Sequence, residues 1–113
     1  MDKNDKLYIV TRQDISAGLQ VAQSCHAAFH FAFEHNNVVN SWINTSDYIV
    51  CLSAKNEQDL EKLINKTKNK NIKHSVFRES DLDNQITAVC LEPGNESKKL
   101  CSNFKLALKN NEL

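Results

Sequence analysis

Leu7-Tyr8-Ile9-Val10 is a short run of apolar and β-branched residues followed by the polar Thr11-Arg12-Gln13-Asp14. It predicts a buried strand that leaves the core at its C-terminal end. Ser16 then serves as the N-cap of a helix expected from about Ala17 to His35. Within it Val21, Ala22, Cys25, Ala28, Phe29 and Ala32 recur at three- and four-residue steps, and this stripe is expected to pack on the sheet. A neighbouring stripe of Leu19, Gln23, His26 and His30 turns its polar groups in one direction. Val38, Val39, Trp42 and Ile43 suit a short second helix covering one end of the core.

Tyr48-Ile49-Val50-Cys51-Leu52 reads as the second strand, and Asn56 opens a helix whose buried face is Leu60, Leu63, Ile64 and Thr67. Ile72 to Phe77 predicts a third strand, and Ile86 to Leu91 is a continuous apolar fourth strand stopped by Pro93-Gly94. A final helix from about Glu96 to Lys109 is expected to turn Leu100, Phe104 and Ala107-Leu108 inward. This order describes an α/β fold: one three-layer α/β/α domain around a mixed four-stranded sheet. The domain spans residues 1–113, with 1–6 expected as a flexible tail, and no internal repeat is present.

Composition narrows the function classes. A chain of 113 residues, 41% hydrophobic, builds one core and not two. Fourteen basic and fourteen acidic residues cancel, so attraction to RNA has to come from a local patch. The start Met1-Asp2-Lys3-Asn4-Asp5-Lys6 lacks the apolar run of a signal peptide, so a soluble cytoplasmic protein without membrane contact is the expectation. Two glycines and one proline leave no glycine-rich phosphate loop. Cys25, Cys51, Cys90 and Cys101 form no Cys-x-x-Cys pair and sit among apolar neighbours, which predicts small buried hydrophobes in a reducing compartment.

Chemistry is expected where strands end and helices begin, because loops and helix N-termini there carry backbone donors. Three segments converge on such a place: the loop Arg12 to Gly18, the polar stripe of the first helix, and the loop Arg78 to Gln85. The runs Leu7-Tyr8-Ile9-Val10-Thr11-Arg12-Gln13-Asp14-Ile15 and Gly18-Leu19-Gln20-Val21-Ala22-Gln23-Ser24-Cys25-His26-Ala27-Ala28 resemble the opening strand and helix of the second, archaeal and eukaryotic, type of peptidyl-tRNA hydrolase. There a strand ending in Arg-x-Asp-Leu leads into a Gly-Lys-x-Ala-x-Gln-x-x-His-Ala helix. The resemblance continues through Trp42, the last strand and Phe104-Lys105-Leu106. Phe77-Arg78-Glu79-Ser80-Asp81-Leu82 with Gln85-Ile86-Thr87-Ala88 looks like a divergent branch with a shortened loop.

The resemblance implies a hydrolase that cleaves the ester between a peptide and the terminal ribose of tRNA, with no metal or organic cofactor. Such chemistry needs an oriented water, a proton acceptor and donors for the oxyanion. Asp81 corresponds to the acid before the last strand, with Ser80 as the ungapped alternative. Thr87 matches the threonine that holds the water or a ribose hydroxyl. Gln23 matches the helix glutamine and, with Gln20, would stabilise the tetrahedral intermediate. The lysine expected after the glycine is Leu19 here, and Asp83 and Asn84 stand where relatives carry Arg and Thr. The same fold without turnover, as a tRNA-binding or protein-interaction module, is therefore the alternative.

His26 is a candidate base, or it orders the site. His26 and His30 have the spacing of a helical metal pair, but no third ligand is marked. Asp14 either belongs to the substrate site or stabilises the positive end of the helix dipole. Lys62, Lys66, Lys68, Lys70, Lys73 and Arg78 have no acid among them, and Lys98, Lys99, Lys105 and Lys109 form a second basic set. With the resemblance, Arg78, Lys66, Lys68, Lys70 and Lys73 are expected to follow tRNA phosphates. Relatives commonly pair, which makes a homodimer a further expectation.

Overall fold

In a computed structural model that describes residues 1–109, the apolar runs form the strands of one sheet. The chain runs β1 (Lys6–Arg12), α1 (Ala17–Glu34), α2 (Asn36–Ile43), β2 (Tyr48–Ala54), α3 (Glu57–Asn69), β3 (His74–Glu79), a 3-10 turn (Ser80–Leu82), β4 (Gln85–Leu91), α4 (Asn95–Cys101) and β5 (Lys105–Leu106). Sheet order is β3-β4-β1-β2-β5. β1 and β2 are parallel, and β4 runs antiparallel to both β1 and β3. The C-terminal ends of β1, β2 and β3 and the start of β4 therefore share one rim.

Alternation along the strands divides the core into two layers. Tyr8, Val10, Leu52, Val89 and Leu91 pack with Leu60, Leu63 and Ile64 of α3 and with Cys101. Leu7, Ile9, Ala88 and Cys90 pack with Ala27 and Phe31 of α1 and with Trp42 of α2. Trp42 donates its indole N–H to the Tyr48 carbonyl at 2.7 Å, which fixes α2 over the entry to β2. Asn56 caps α3 by accepting from the Asp59 N–H at 3.0 Å.

The sheet has five strands, not four. The expected final helix ends at Cys101, and Lys105-Leu106 pairs instead with Leu52 and Ser53. Ser102 turns its hydroxyl back onto the Lys99 carbonyl, a local bond that competes with continued helix, and the open edge of β2 supplies partners to the segment beyond. Leu100 and Phe104 still pack against the core, as expected.

The buried face of α1 is also rotated from expectation. Gln20, Gln23, Ser24, Ala27 and Phe31 face inward, whereas Val21, Cys25 and Phe29 are exposed. The polar members find partners inside: Ser24 donates to the Gln20 carbonyl at 2.7 Å, and Gln23 is bonded at both ends of its amide. The cysteines divide too. Cys90 and Cys101 are buried, and burial pushes both thiols up, but Cys25 and Cys51 are exposed.

Candidate functional site

The three segments expected to converge do meet at the rim. Arg12, the last residue of β1, is buried and makes a two-pronged ion pair with Asp14, Nε to Oδ1 at 2.7 Å and Nη2 to Oδ2 at 2.9 Å. Its Nη1 donates to Gln85 Oε1 at 2.8 Å and to the Ile86 carbonyl at 3.2 Å, tying the β1 exit to the β4 entry. Glu57 accepts from the Ile86 N–H at 2.8 Å, which anchors the start of α3 to the same place. The hydrogen bonds with Arg12 hold the Asp14 carboxyl below the usual carboxylate range, and the same contact raises the Arg12 guanidinium.

Beside this anchor runs a second chain of bonds. The β3–β4 register slips between Phe77 and Arg78, leaving Thr87 as the extra residue on β4. Such a bulge turns two successive side chains to one face. Thr87, fully buried, thus reaches α1 and donates its hydroxyl to Gln23 Oε1 at 2.8 Å. Gln23, 1% exposed, donates its Nε2 to Glu79 Oε1 at 2.9 Å. The other oxygen of Glu79 accepts from the backbone N–H of Asp81 at 3.3 Å, capping the 3-10 turn. The Gln23 bond, with the Asp81 N–H and nearby His26, holds the Glu79 carboxyl low. Thr11 completes the base of the relay by donating to the Thr87 carbonyl at 3.0 Å.

Gln23, His26, Asp81 and Thr87 therefore belong to one neighbourhood, although only some of them reach solvent. Asp81 and His26 are exposed, and the His26 ring stacks on Phe77 at 4.3 Å between centroids. His30 leans on the same phenyl ring at 5.5 Å. Thr87 and Gln23 are sealed, so their polar groups act through Glu79. Gln20 faces elsewhere: its Nε2 donates to the Ile15 carbonyl at 2.8 Å, and its Oε1 is buried with no partner. Leu19, in the position that the resemblance assigns to lysine, is 38% exposed.

Glu79 is the residue that sequence reasoning did not single out. The signal was Gln23 itself: a glutamine on the inner stripe of a helix needs partners, and an acid at a strand end is a suitable one.

The expected basic set is split by the fold. Lys66 lines a cleft with Lys55, Lys62 and Lys105, whereas Lys68 and Arg78 share a shallow hollow on another side of α3. Lys70 lies 3.6 Å from Glu96, and Arg78 donates to the Asn84 carbonyl at 3.2 Å. Lys73 is exposed before β3. No helix is long and apolar enough to cross a membrane among the described residues.

Comparison with known proteins gives two findings. The sequence matches the family described as Peptidyl-tRNA hydrolase PTH2 over residues 5–107. The fold is similar to that of a protein of unknown function from Agrobacterium tumefaciens, with a TM-score of 0.70 and 12% identity, covering 91% of this chain and 97% of the other. That likeness speaks for the fold alone. Among curated proteins none matches.

Proposed function

The chain belongs to the peptidyl-tRNA hydrolase PTH2 family, and on that premise we propose that it is a cytoplasmic hydrolase that cleaves the ester joining a peptide to the 3′ ribose of tRNA. The observation that carries the reading is the buried relay from Thr87 through Gln23 to Glu79, which ends on the backbone N–H of Asp81 at the solvent-facing rim. A relay of this kind fixes the Glu79 carboxylate, and through it the backbone that carries Asp81, before substrate arrives.

In this reading Asp81 takes a proton from water, whose oxygen attacks the ester carbonyl. Collapse of the tetrahedral intermediate expels the ribose oxygen, which recovers that proton. His26, held flat against Phe77, meets the carbonyl or ribose oxygen from the helix side. Gln23 and Thr87 are positioning residues, acting through Glu79. Gln20 shapes the loop before α1 through Ile15, while Arg12 and Asp14 hold the rim together.

Release of N-acetyl amino acid from N-acetyl-aminoacyl-tRNA tests the proposal. Turnover is expected, falling about 10²- to 10⁴-fold in Asp81→Asn. Folded wild-type protein that releases nothing above the uncatalysed rate overturns it, as does an undiminished rate in the variant. The exposed Leu19 favours a second reading, a tRNA-binding module without turnover. Salt-dependent tRNA binding without release, together with release gained by Leu19→Lys, would select that reading.

We also infer that two copies pair. From Ala17 to Phe33, α1 carries no Asp, Glu, Lys or Arg, although Phe29 and Phe33 are 76% and 86% exposed. Val21, Cys25 and Ala28 continue this face into an apolar groove with Ile49, Cys51 and Leu108. Contiguous exposed apolar faces on a folded protein mark contact surfaces. Sedimentation should give a dimer that Phe29→Glu with Phe33→Glu converts to monomer; a monomeric wild type contradicts it.

A further inference from the structure

The neutral chain has sorted its charges. Lys55, Lys62, Lys66 and Lys105 surround a single cleft of about 310 Å³ at the C-terminal end of β2, and Lys109 adjoins it beyond Lys105. Among the described residues none of these five lysines lies within 4 Å of a carboxylate. One acid, Asp59, lines the cleft, and its Oδ2 already accepts from the Lys55 N–H at 3.3 Å. The floor includes the half-buried ring of Phe104. At the other end of the same rim stand Glu79, Asp81 and Asp83, so the rim is acidic at β3 and basic at β2 and β5.

We propose that this lysine cleft binds the phosphodiester backbone of single-stranded RNA. Resting on the hydrolase reading, it assigns to the cleft the nucleotides a few steps upstream of the ester. Lysine ammoniums seek phosphate oxygens as point charges, and one aromatic ring on the floor gives a base a stacking surface without reading its sequence. Spacing fits the assignment. Three strand intervals separate β3 from β2, about 14 Å, which a stacked strand covers in about four nucleotides at about 3.4 Å each. The 3′ ester then lies at Asp81 while the phosphates behind it reach Lys55, Lys62 and Lys66. This cleft, rather than the Lys68–Arg78 hollow across α3, is the basic pole that receives the phosphates.

Fluorescence anisotropy with labelled oligoribonucleotides of one, two, four and six residues ending in CCA tests the assignment, with inorganic phosphate as competitor. Affinity should climb between two and six nucleotides and fall with salt, with a log–log slope of about −2 for three phosphates. Lys62→Glu with Lys66→Glu should weaken the hexamer about tenfold or more and flatten that slope, while Lys3→Glu, at the opposite end of β1, leaves both unchanged. Lys3→Glu should also retain wild-type rate on N-acetyl-aminoacyl-adenosine, which carries no upstream phosphate. An affinity independent of oligomer length, full competition by inorganic phosphate, or an unaltered hexamer affinity in the double variant overturns the proposal. Length-dependent binding lost in the double variant, with no hydrolysis of any substrate, would leave the cleft assigned and remove the hydrolase reading alone.

Discussion

Gln23 has no solvent to turn to, yet both ends of its amide are bonded, to Thr87 on one side and Glu79 on the other. Gln23→Leu keeps the volume and removes both bonds, leaving the Thr87 hydroxyl buried without its acceptor. A loss of about 1–3 kcal/mol is expected in urea denaturation. Thr87→Val removes the donor alone and should cost about as much, since Gln23 Oε1 is then stranded. Asp14 gives a pH prediction. Its folded pKa lies below the ordinary value, so its contribution is present above about pH 4 and is lost as pH falls through the folded value. Asp14→Asn should lower stability at neutral pH and flatten the acid limb of the stability curve; an unchanged limb would show that the Arg12 pair is inert. At this scale the family resemblance made Gln23, His26, Asp81 and Thr87 legible as neighbours, but it also grouped Gln20 with them, which bonds instead to the Ile15 carbonyl. The burial of Thr87 was not legible, because it follows from a bulge, and a bulge depends on the pairing of β3 with β4.

Each helix shows how far local pattern reaches. α3 was legible in full, with Asn56 as its cap and Leu60, Leu63, Ile64 and Thr67 as its buried face, because periodicity and burial agree. Asn56→Ala should therefore cost about 1 kcal/mol by removing the bond to the Asp59 N–H, measured as a shift in thermal midpoint. In α1 the apolar stripe and the buried stripe differ. Periodicity favoured Val21, Cys25 and Phe29, but Glu79 on β3 and Thr87 on β4 draw Gln23 inward through bonds between residues distant in sequence, while Gln20 and Ser24 on the same buried face bond locally. The displaced apolar residues are what the inferred partner copy covers. The final helix was over-extended for a related reason: Lys105-Leu106 takes its conformation from the edge of β2, which no window of local sequence contains.

For the molecule as a whole, the equality of basic and acidic residues conceals their separation in space. Parallel β1 and β2 and antiparallel β4 bring the acidic hairpin, the Arg12–Asp14 anchor and the lysine cleft onto one rim. A substrate with a neutral ester at one end and a run of phosphates behind it matches that polarity. In the proposed hydrolase, the carboxylates at the β3 end perform the cleavage and depend on the relay beneath them. Single-turnover hydrolysis of N-acetyl-aminoacyl-tRNA across pH, for wild type and Glu79→Gln, is the decisive measurement. A slower chemical step and an altered acid limb of the rate profile are expected in the variant, with tRNA affinity preserved. Equal rates and superimposable profiles would contradict it.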